Sequence, residues 1–239
     1  MKCLALLLLV ASTTSAMKWA VTENNVTCVV MEVSAIHGKI NILDVQNKTV
    51  VVEFTATNTT AIQGSCNDKH GDVPVNRVTV NFFPDGTPKS AIGAQPFTLN
   101  LYFGAHGNAS NSFDLVDYDV TVGPTEKYNI TTETLYKSKT AEIDVTASSS
   151  NGFKCSTSGL ALDNDSTIEL KDVKAIALVR LDTPDFPKEQ LFETCKLDTR
   201  TSDIVPIVVG ACLAGLVVVV LVAYLIGRAR ARRQGYASV

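Results

Sequence analysis

The stretch FTLNLYF, residues 97–103, decides the fold class because its apolar and polar side chains alternate strictly. A period of two places alternate side chains on opposite faces of an extended strand. One face is then buried and the other meets water, as in antiparallel sheets with one solvated face. The buried face is expected to carry Phe97, Leu99, Leu101 and Phe103, and the outer face Thr98, Asn100 and Tyr102.

The same alternation recurs in VVVEFTA (50–56), VTVNF (78–82) and AEIDVTA (141–147). Turn-forming residues occur between such stretches, at PDGTP (84–88), NG (151–152) and DND (163–165). No long apolar stripe at helical spacing is found between the two ends of the chain. The sequence therefore predicts one all-β domain of antiparallel sheets, about 180 residues long. The other residues expected to face inward are Val50, Val52, Phe54, Ala56, Val78, Val80, Phe82, Ala141, Ile143, Val145 and Ala147.

Residues 1–16 have the three parts of a secretory signal peptide. Lys2 provides a basic start, Leu4–Val10 form a short apolar run, and small residues occupy positions 14 and 16. The apolar run is too short to cross a bilayer. We expect cleavage after Ala16, which would also remove Cys3.

Residues 204–226 form a continuous uncharged stretch, IVPIVVGACLAGLVVVVLVAYLI. As a helix this stretch is about 35 Å long, enough to cross a hydrocarbon core of about 30 Å. Arginines follow it at positions 228, 230, 232 and 233, which places the C-terminal side in the cytosol. The sequence predicts a type I membrane protein, with residues 17–203 in the lumen and a cytoplasmic tail at 227–239.

The formal net charge of −3 hides an uneven distribution, because every acidic residue precedes the predicted span. Setting aside Lys2 and the tail arginines leaves a luminal net charge of about −8. An acidic luminal domain argues against nucleic acid as a partner. The tail arginines are explained by their role in stopping transfer through the membrane.

Four cysteines remain in the predicted luminal part: Cys28, Cys66, Cys155 and Cys195. An even number in an oxidising compartment indicates two disulfides, and three pairings are possible. The nearly equal spacings 28–66 and 155–195 make sequential pairing the simplest interpretation. No CxxC occurs, so neither a zinc site nor a thioredoxin-like site is indicated.

The glycosylation pattern N-x-S/T occurs six times, against roughly two or three expected by chance. All six sites precede the predicted span, and we expect most of them to carry glycans. The asparagines are Asn25, Asn47, Asn58, Asn108, Asn129 and Asn164.

Catalytic and metal-binding motifs were not found. The histidines at 37, 70 and 106 each lie beside glycine in a loop-like context, outside any metal-ligand spacing, and we do not expect a pH switch. DLVDYDV, with Asp114, Asp117 and Asp119, lacks the glycine and glutamate of a calcium loop, so we interpret it as acids on the exposed edge of a strand. We therefore expect neither an enzyme nor a metal or cofactor.

The order of these features resembles the lysosome-associated membrane glycoproteins. The resemblance rests on the four cysteines, the sequons, the span, and NGFKC (151–155) and VKAIALV (173–179). It implies a luminal β-prism, the disulfides Cys28–Cys66 and Cys155–Cys195, and a location in lysosomal and late-endosomal membranes. The best-known members have two domains and a mucin-like hinge, whereas this chain resembles the smaller, single-domain relatives.

The C-terminal Gly235-Tyr236-x-x-Val239 is similar to the Y-x-x-Φ signals that clathrin-adaptor medium subunits bind. Tyr236 would fill a larger pocket and Val239 a smaller apolar one, with the segment added as a strand. This interpretation makes the adaptor subunits and the lipid bilayer the expected partners.

Three functions fit these features. The leading one is a structural component of the luminal glycan coat that protects lysosomal membranes. The second is a trafficking partner or sorting chaperone for a membrane cargo of the endosomal or synaptic vesicle system. The small residues Gly210, Ala211, Ala214 and Gly215 would suit helix contacts with such a cargo or within a homo-oligomer. The third is a cell-surface adhesion or ligand-binding ectodomain that is merely endocytosed, and the lysosomal location leaves room for a minor plasma-membrane pool.

Overall fold

Strands dominate the first of two units into which the chain divides, one ending at Thr199 and the other beginning at Arg200. The computed structural model describes residues 16–43, 49–87, 95–105, 112–124, 130–139, 144–148, 151–199 and 204–235. The strands are β1 (Met17–Glu23), β2 (Val26–Val33), β3 (Ala35–Leu43), β4 (Thr49–Ala56), β5 (Ala61–His70), β6 (Val73–Phe82), β7 (Phe97–Ala105), β8 (Phe113–Val122), β9 (Thr134–Lys137), β10 (Thr146–Ala147), β11 (Gly152–Ala161), β12 (Thr167–Leu181) and β13 (Phe192–Thr194). The helices are α1 (Lys196–Thr199) and α2 (Ile204–Gly235).

The first sheet has seven strands and is organised around β12. Its main path runs β1-β2-β12-β11-β13, and β3 and β4 continue from the other end of β12. All pairs are antiparallel except β11 with β13, which is parallel.

The long strand β12 changes partner halfway along its length. Its first part, from Thr167 to Lys171, pairs with β3, and its second part, from Lys174, pairs with β2. Asp172 lies between the two parts with a positive φ of 49°, and its carboxylate accepts a hydrogen bond from the Ser34 hydroxyl at 2.8 Å. Ser34 separates β2 from β3, so this hydrogen bond joins the point where β12 changes partner to the junction between its two partner strands.

The second sheet has six strands in the order β10-β8-β7-β6-β5, with β9 also paired to β8. Every pair in this sheet is antiparallel. The inward faces of both sheets contribute to one hydrophobic core. Phe54 of the first sheet packs edge-on against Phe97 of the second, with ring centroids 5.2 Å apart, so aromatic contacts join the two layers.

The predicted all-β class is confirmed, and the stretches at 50–56, 78–82 and 97–103 lie in β4, β6 and β7. Their expected inward residues are buried, except that Val50 near the start of β4 is 39% exposed. The stretch at 141–147 was predicted as a full strand, but among its described residues only Thr146 and Ala147 pair with β8. Residues 141–143 lie outside the described part of the chain.

Two disulfides connect the elements, between the cysteines that the family resemblance paired. Cys28–Cys66 joins β2 of the first sheet to β5 of the second, with 5.7 Å between the Cα atoms. Cys155–Cys195 joins β11 to the residue that precedes α1, with 5.3 Å between the Cα atoms. The first bond therefore links the two sheets, and the second fastens the end of the β domain.

Candidate functional site: the apolar helix and the outer surface of the β domain

The helix α2 has the length and composition of a membrane span. Its segment Val208–Arg228 contains 21 residues with a mean hydropathy of 2.8, and none of it is buried. It is the single helix of this kind among the described residues. Because its apolar side chains cover the whole circumference and are exposed, a lipid environment is the one that suits them.

The helix continues beyond the predicted span of 204–226. It extends through the arginine cluster to Gly235, so most of the predicted tail at 227–239 is helical. Tyr236 and Val239 of the predicted sorting signal lie outside the described residues, as do residues 1–15 of the predicted signal peptide.

The described sequon asparagines lie at the surface of the β domain. Asn25 is exposed in the turn between β1 and β2, Asn58 in the segment after β4, and Asn164 in the turn between β11 and β12. Asn25 and Asn164 have positive φ angles of 63° and 53°, a conformation that asparagine tolerates. Asn47, Asn108 and Asn129 fall outside the described residues.

The acidic stretch DLVDYDV forms most of β8, an internal strand of its sheet, and its three aspartates are half-buried there. Asp119 accepts hydrogen bonds from Asn100 Nδ2 at 2.7 Å and from the Tyr102 hydroxyl at 2.9 Å. Asp117 accepts one from Ser138 and lies 2.6 Å from His70 Nε2. These carboxylates therefore belong to a polar network on the outer face of the second sheet.

Two ionisable groups of this face have shifted pKa values. Burial and the hydrogen bond to Asp119 raise the pKa of Tyr102 to about 12. The hydrogen bond from Arg77 lowers the pKa of Asp68, and the backbone N–H of Lys69 adds to this effect. Both shifts favour the protonation state that each group has at neutral pH.

The two histidines in the described part of the chain lie in strands, whereas the sequence suggested loop-like positions for them. His37 lies within β3, and His70 is the last residue of β5. The His70 ring packs against Tyr102 with centroids 4.5 Å apart. His106 lies outside the described residues.

One group of potential metal ligands is present in the described part of the chain, and it consists of Cys155, Cys195 and Asp198. The two sulfur atoms are bonded to each other, so they are not thiolate ligands. Asp198 instead accepts hydrogen bonds from Ser156, and these lower its pKa. The arrangement therefore serves the packing of α1 against β11.

Comparisons with known proteins agree on one family. Residues 205–237 match the family described as the transmembrane segment of lysosome-associated membrane glycoprotein 2. Lysosome-associated membrane glycoprotein 1 of Gallus gallus is 37% identical over 90 residues, which cover 37% of this chain and 20% of that protein. The Mus musculus protein of the same name is 28% identical over 238 residues, covering 97% of this chain and 50% of that protein. The chain thus spans half or less of the length of these relatives.

The membrane-proximal domain of mouse lysosome-associated membrane protein 1 has a similar fold. It superposes with a TM-score of 0.55 at 20% identity, covering 77% of this chain and 99% of that domain. The fold and the apolar helix define a class of single-span membrane proteins with a disulfide-bonded β domain. Within that class, the chain is similar to the lysosome-associated membrane glycoproteins, and the resemblance inferred from the sequence is confirmed. The expected single-pass lysosomal membrane location agrees with these relatives and with the one apolar helix.

Proposed function

We propose that the protein is a structural, non-enzymatic component of the glycan coat on the luminal face of lysosomal and late-endosomal membranes. The observation that carries this proposal is the exposure of Asn25, Asn58 and Asn164, the sequon asparagines in the described part of the chain. They are displayed by a disulfide-bonded β domain whose chain continues into the apolar helix α2. Glycans at these positions would cover the domain and limit the access of hydrolases to the membrane.

The electrostatics of the domain suit a mildly acidic compartment. Hydrogen bonds from Ser148 and Asn151 lower the pKa of Glu193, and the Arg77 hydrogen bond lowers that of Asp68. A carboxylate whose folded-state pKa is lowered contributes stability above its unfolded pKa and loses it only as the pH falls through the folded value. These carboxylates therefore stay charged and hydrogen-bonded through mild acidification.

We propose that the C-terminal tail carries the sorting signal for this location. The Y-x-x-Φ motif starts at Tyr236, which in the sequence directly follows Gly235, the last described residue of α2. We expect Tyr236→Ala to move the protein from acidic compartments to the cell surface, measured by surface biotinylation and by imaging with an acidic-compartment dye. Ser238→Ala is the matched control, because it changes the same tail and leaves both motif residues in place. An unchanged location of the Tyr236→Ala protein would show that this signal does not sort it.

A sorting partner for a membrane cargo is the second candidate function. Gly210 and Gly215 lie on the surface of α2, and a Cβ atom added at either position would meet no atom within 4 Å. Small residues at such positions allow another helix to approach closely. Mislocalisation of one membrane protein after depletion, with intact lysosomes, would favour this function over the coat.

A further inference from the structure

A cavity beside Asn164 is lined by residues that the chain brings together from distant segments. Its volume is about 500 Å³, within the size range of small-ligand sites. We propose that it holds the first sugar residues of the glycan attached to Asn164, so that this glycan packs as part of the folded domain. The proposal rests on the glycan coat proposed above and identifies one sugar site within it. The cavity is lined by Asn41, Ile42, Thr49, Thr132, Thr134, Tyr136, Asn164 and Asp165.

Asn164 is held on a fixed turn at the rim of this cavity. The turn is closed by a hydrogen bond from the Ser166 N–H to the Asp163 carbonyl at 3.1 Å. The Asp163 N–H in turn donates to the Lys137 carbonyl at 2.9 Å, which ties the turn to β9. The Asn164 side chain is exposed and makes no hydrogen bond to another described residue. The turn therefore fixes the position of the Asn164 amide, and no other described residue forms a hydrogen bond with it.

The floor of the cavity is also fixed. Asn41 Nδ2 donates to the carbonyl of Asn164 at 2.8 Å and to that of Asp165 at 3.2 Å. The hydroxyl of Tyr136, which is buried, donates to the Asn41 carbonyl at 3.0 Å. Strand β3 is thus joined directly to the sequon turn through Asn41, and the β9 tyrosine is joined to the turn through the same residue. A glycan bound here would contact groups that already have their final positions, which reduces the entropy lost on binding.

The remaining lining matches the chemistry of N-acetylglucosamine. The hydroxyls of Thr49, Thr132 and Thr134 make no hydrogen bond to other described residues, so they are available to sugar hydroxyls and to the acetamide group. The half-buried Ile42 adds an apolar surface for the ring face of a sugar. Polar groups that fix orientation beside apolar contact area are the usual composition of a small-ligand site.

The covalent step is ordinary N-glycosylation at the sequon. The amide Nδ2 of Asn164 loses one proton and bonds to C1 of the first N-acetylglucosamine. The oligosaccharide leaves its lipid pyrophosphate donor, which departs with the bonding electron pair. The proposal concerns where the attached sugar then lies.

The first test compares Asn164→Asp with Asn25→Asp in the full-length glycosylated protein in detergent. Asn25 is the matched control, because it is an exposed sequon asparagine with a similar positive φ, and aspartate tolerates that conformation. The only tryptophan, Trp19, is buried in the β domain, so its fluorescence reports the unfolding of that domain. We expect Asn164→Asp to lower the Tm by about 2–4 °C and Asn25→Asp to leave it unchanged. Equal effects of the two substitutions, or a fall caused by loss of the Asn47 or Asn129 sequon instead, would overturn the assignment.

The second test asks whether the cavity wall and the glycan act together. Thr134→Val keeps the side-chain shape and removes one hydroxyl of the wall. It should lower the Tm in the protein with intact Asn164 and have no effect in the Asn164→Asp background, which is the signature of a coupled pair. Equal effects in both backgrounds would show that Thr134 acts without the sugar.

Glycopeptide mass spectrometry separates this inference from the proposed function. If Asn164 is unmodified while other sequons carry glycans, the assignment of the cavity is wrong, but the proposed role in the glycan coat is unaffected. If all the sequons are unmodified, the proposed role in the glycan coat is itself wrong. Trimming the glycans to a single N-acetylglucosamine should preserve more of the Tm than complete removal, and equal losses would contradict the proposed packing.

Discussion

Replacing Asn76 tests a polar contact between the two sheets, in which one side chain forms hydrogen bonds with the backbone of both. Asn76 lies on β6 and is 5% exposed. Its Nδ2 donates to the Cys66 carbonyl at 2.5 Å, and its Oδ1 accepts from the Leu178 N–H at 3.0 Å. Leu178 has a positive φ of 57° and lies where the pairing of β12 with β2 shifts register. One side chain therefore satisfies two backbone groups from different sheets.

Asn76→Ala leaves both backbone groups without their partner. An unsatisfied buried group costs about 1–3 kcal/mol, so we expect a loss of about 2–5 kcal/mol in the free energy of unfolding. For a domain of this size, the corresponding fall in Tm is about 5–15 °C. Thermal unfolding followed by Trp19 fluorescence measures it directly.

Asn81→Ala is the matched control for Asn76→Ala. Asn81 lies on the same strand but is half-buried, and its side-chain oxygen accepts a single hydrogen bond from Thr98, which water can replace. We expect a change below about 1 kcal/mol there. Similar falls in Tm for Asn76→Ala and Asn81→Ala would refute the two-sided role of Asn76.

Asn76→Asp separates the accepting from the donating function. A carboxylate can still accept from the Leu178 N–H, but it has no proton to donate to the Cys66 carbonyl. Protonation restores a donor, so the loss relative to the native protein should be smaller in mild acid than at neutral pH. A loss that does not change with pH would contradict this account.

Two further predictions concern the core and the outer polar network. A Cβ atom at Gly38 would lie 2.1 Å from Cζ of the Phe54 ring, so Gly38→Ala should lower the Tm by several degrees. Gly159→Ala is the control and should leave the Tm unchanged, because no atom lies within 4 Å of a Cβ atom added there. Equal effects of the two substitutions would contradict the close packing at Gly38. Because burial and Asp119 raise the pKa of Tyr102 from 10.0 to about 12, its stabilising contribution is complete below pH 10 and is lost as the pH rises through the folded value. Tyr102→Phe should therefore show a flatter decline in stability between these pH values, and an unchanged slope would exclude the effect.

The alternating pattern identified only those strands that have one buried and one outer face. β2 is buried at most positions on both faces, so its sequence VTCVVMEV does not alternate. β5 is the opposite case, since no residue of AIQGSCNDKH is fully buried and the segment becomes a strand through its pairing with β6. In both strands tertiary pairing, which acts beyond a local window of sequence, determines the conformation.

Only the local features of the candidate site were predictable from the sequence, because contacts between distant residues lie outside a local window. Composition alone identified the span, because an uncharged and largely apolar helix of this length has few alternatives to lipid. The sequon at Asn164 was visible as a motif, but its cavity depends on the contact of Tyr136 with Asn41, which are 95 residues apart. The change of partner along β12 occurs at Asp172 with a positive φ, a conformation that aspartate tolerates but does not by itself predict.

The bond between Cys155 and Cys195 determines how the β domain would respond to tension. The chain passes from Cys195 through α1 towards α2, so a pulling force from the bilayer enters the domain at that cysteine. It then passes through a covalent bond directly into β11, bypassing the three-residue ladder of β13. Everything between the two cysteines, β12 included, lies in a closed covalent loop that cannot be drawn out. A pulling force on the apolar helix therefore reaches an internal strand, β11, without first separating the edge strand β13 from it.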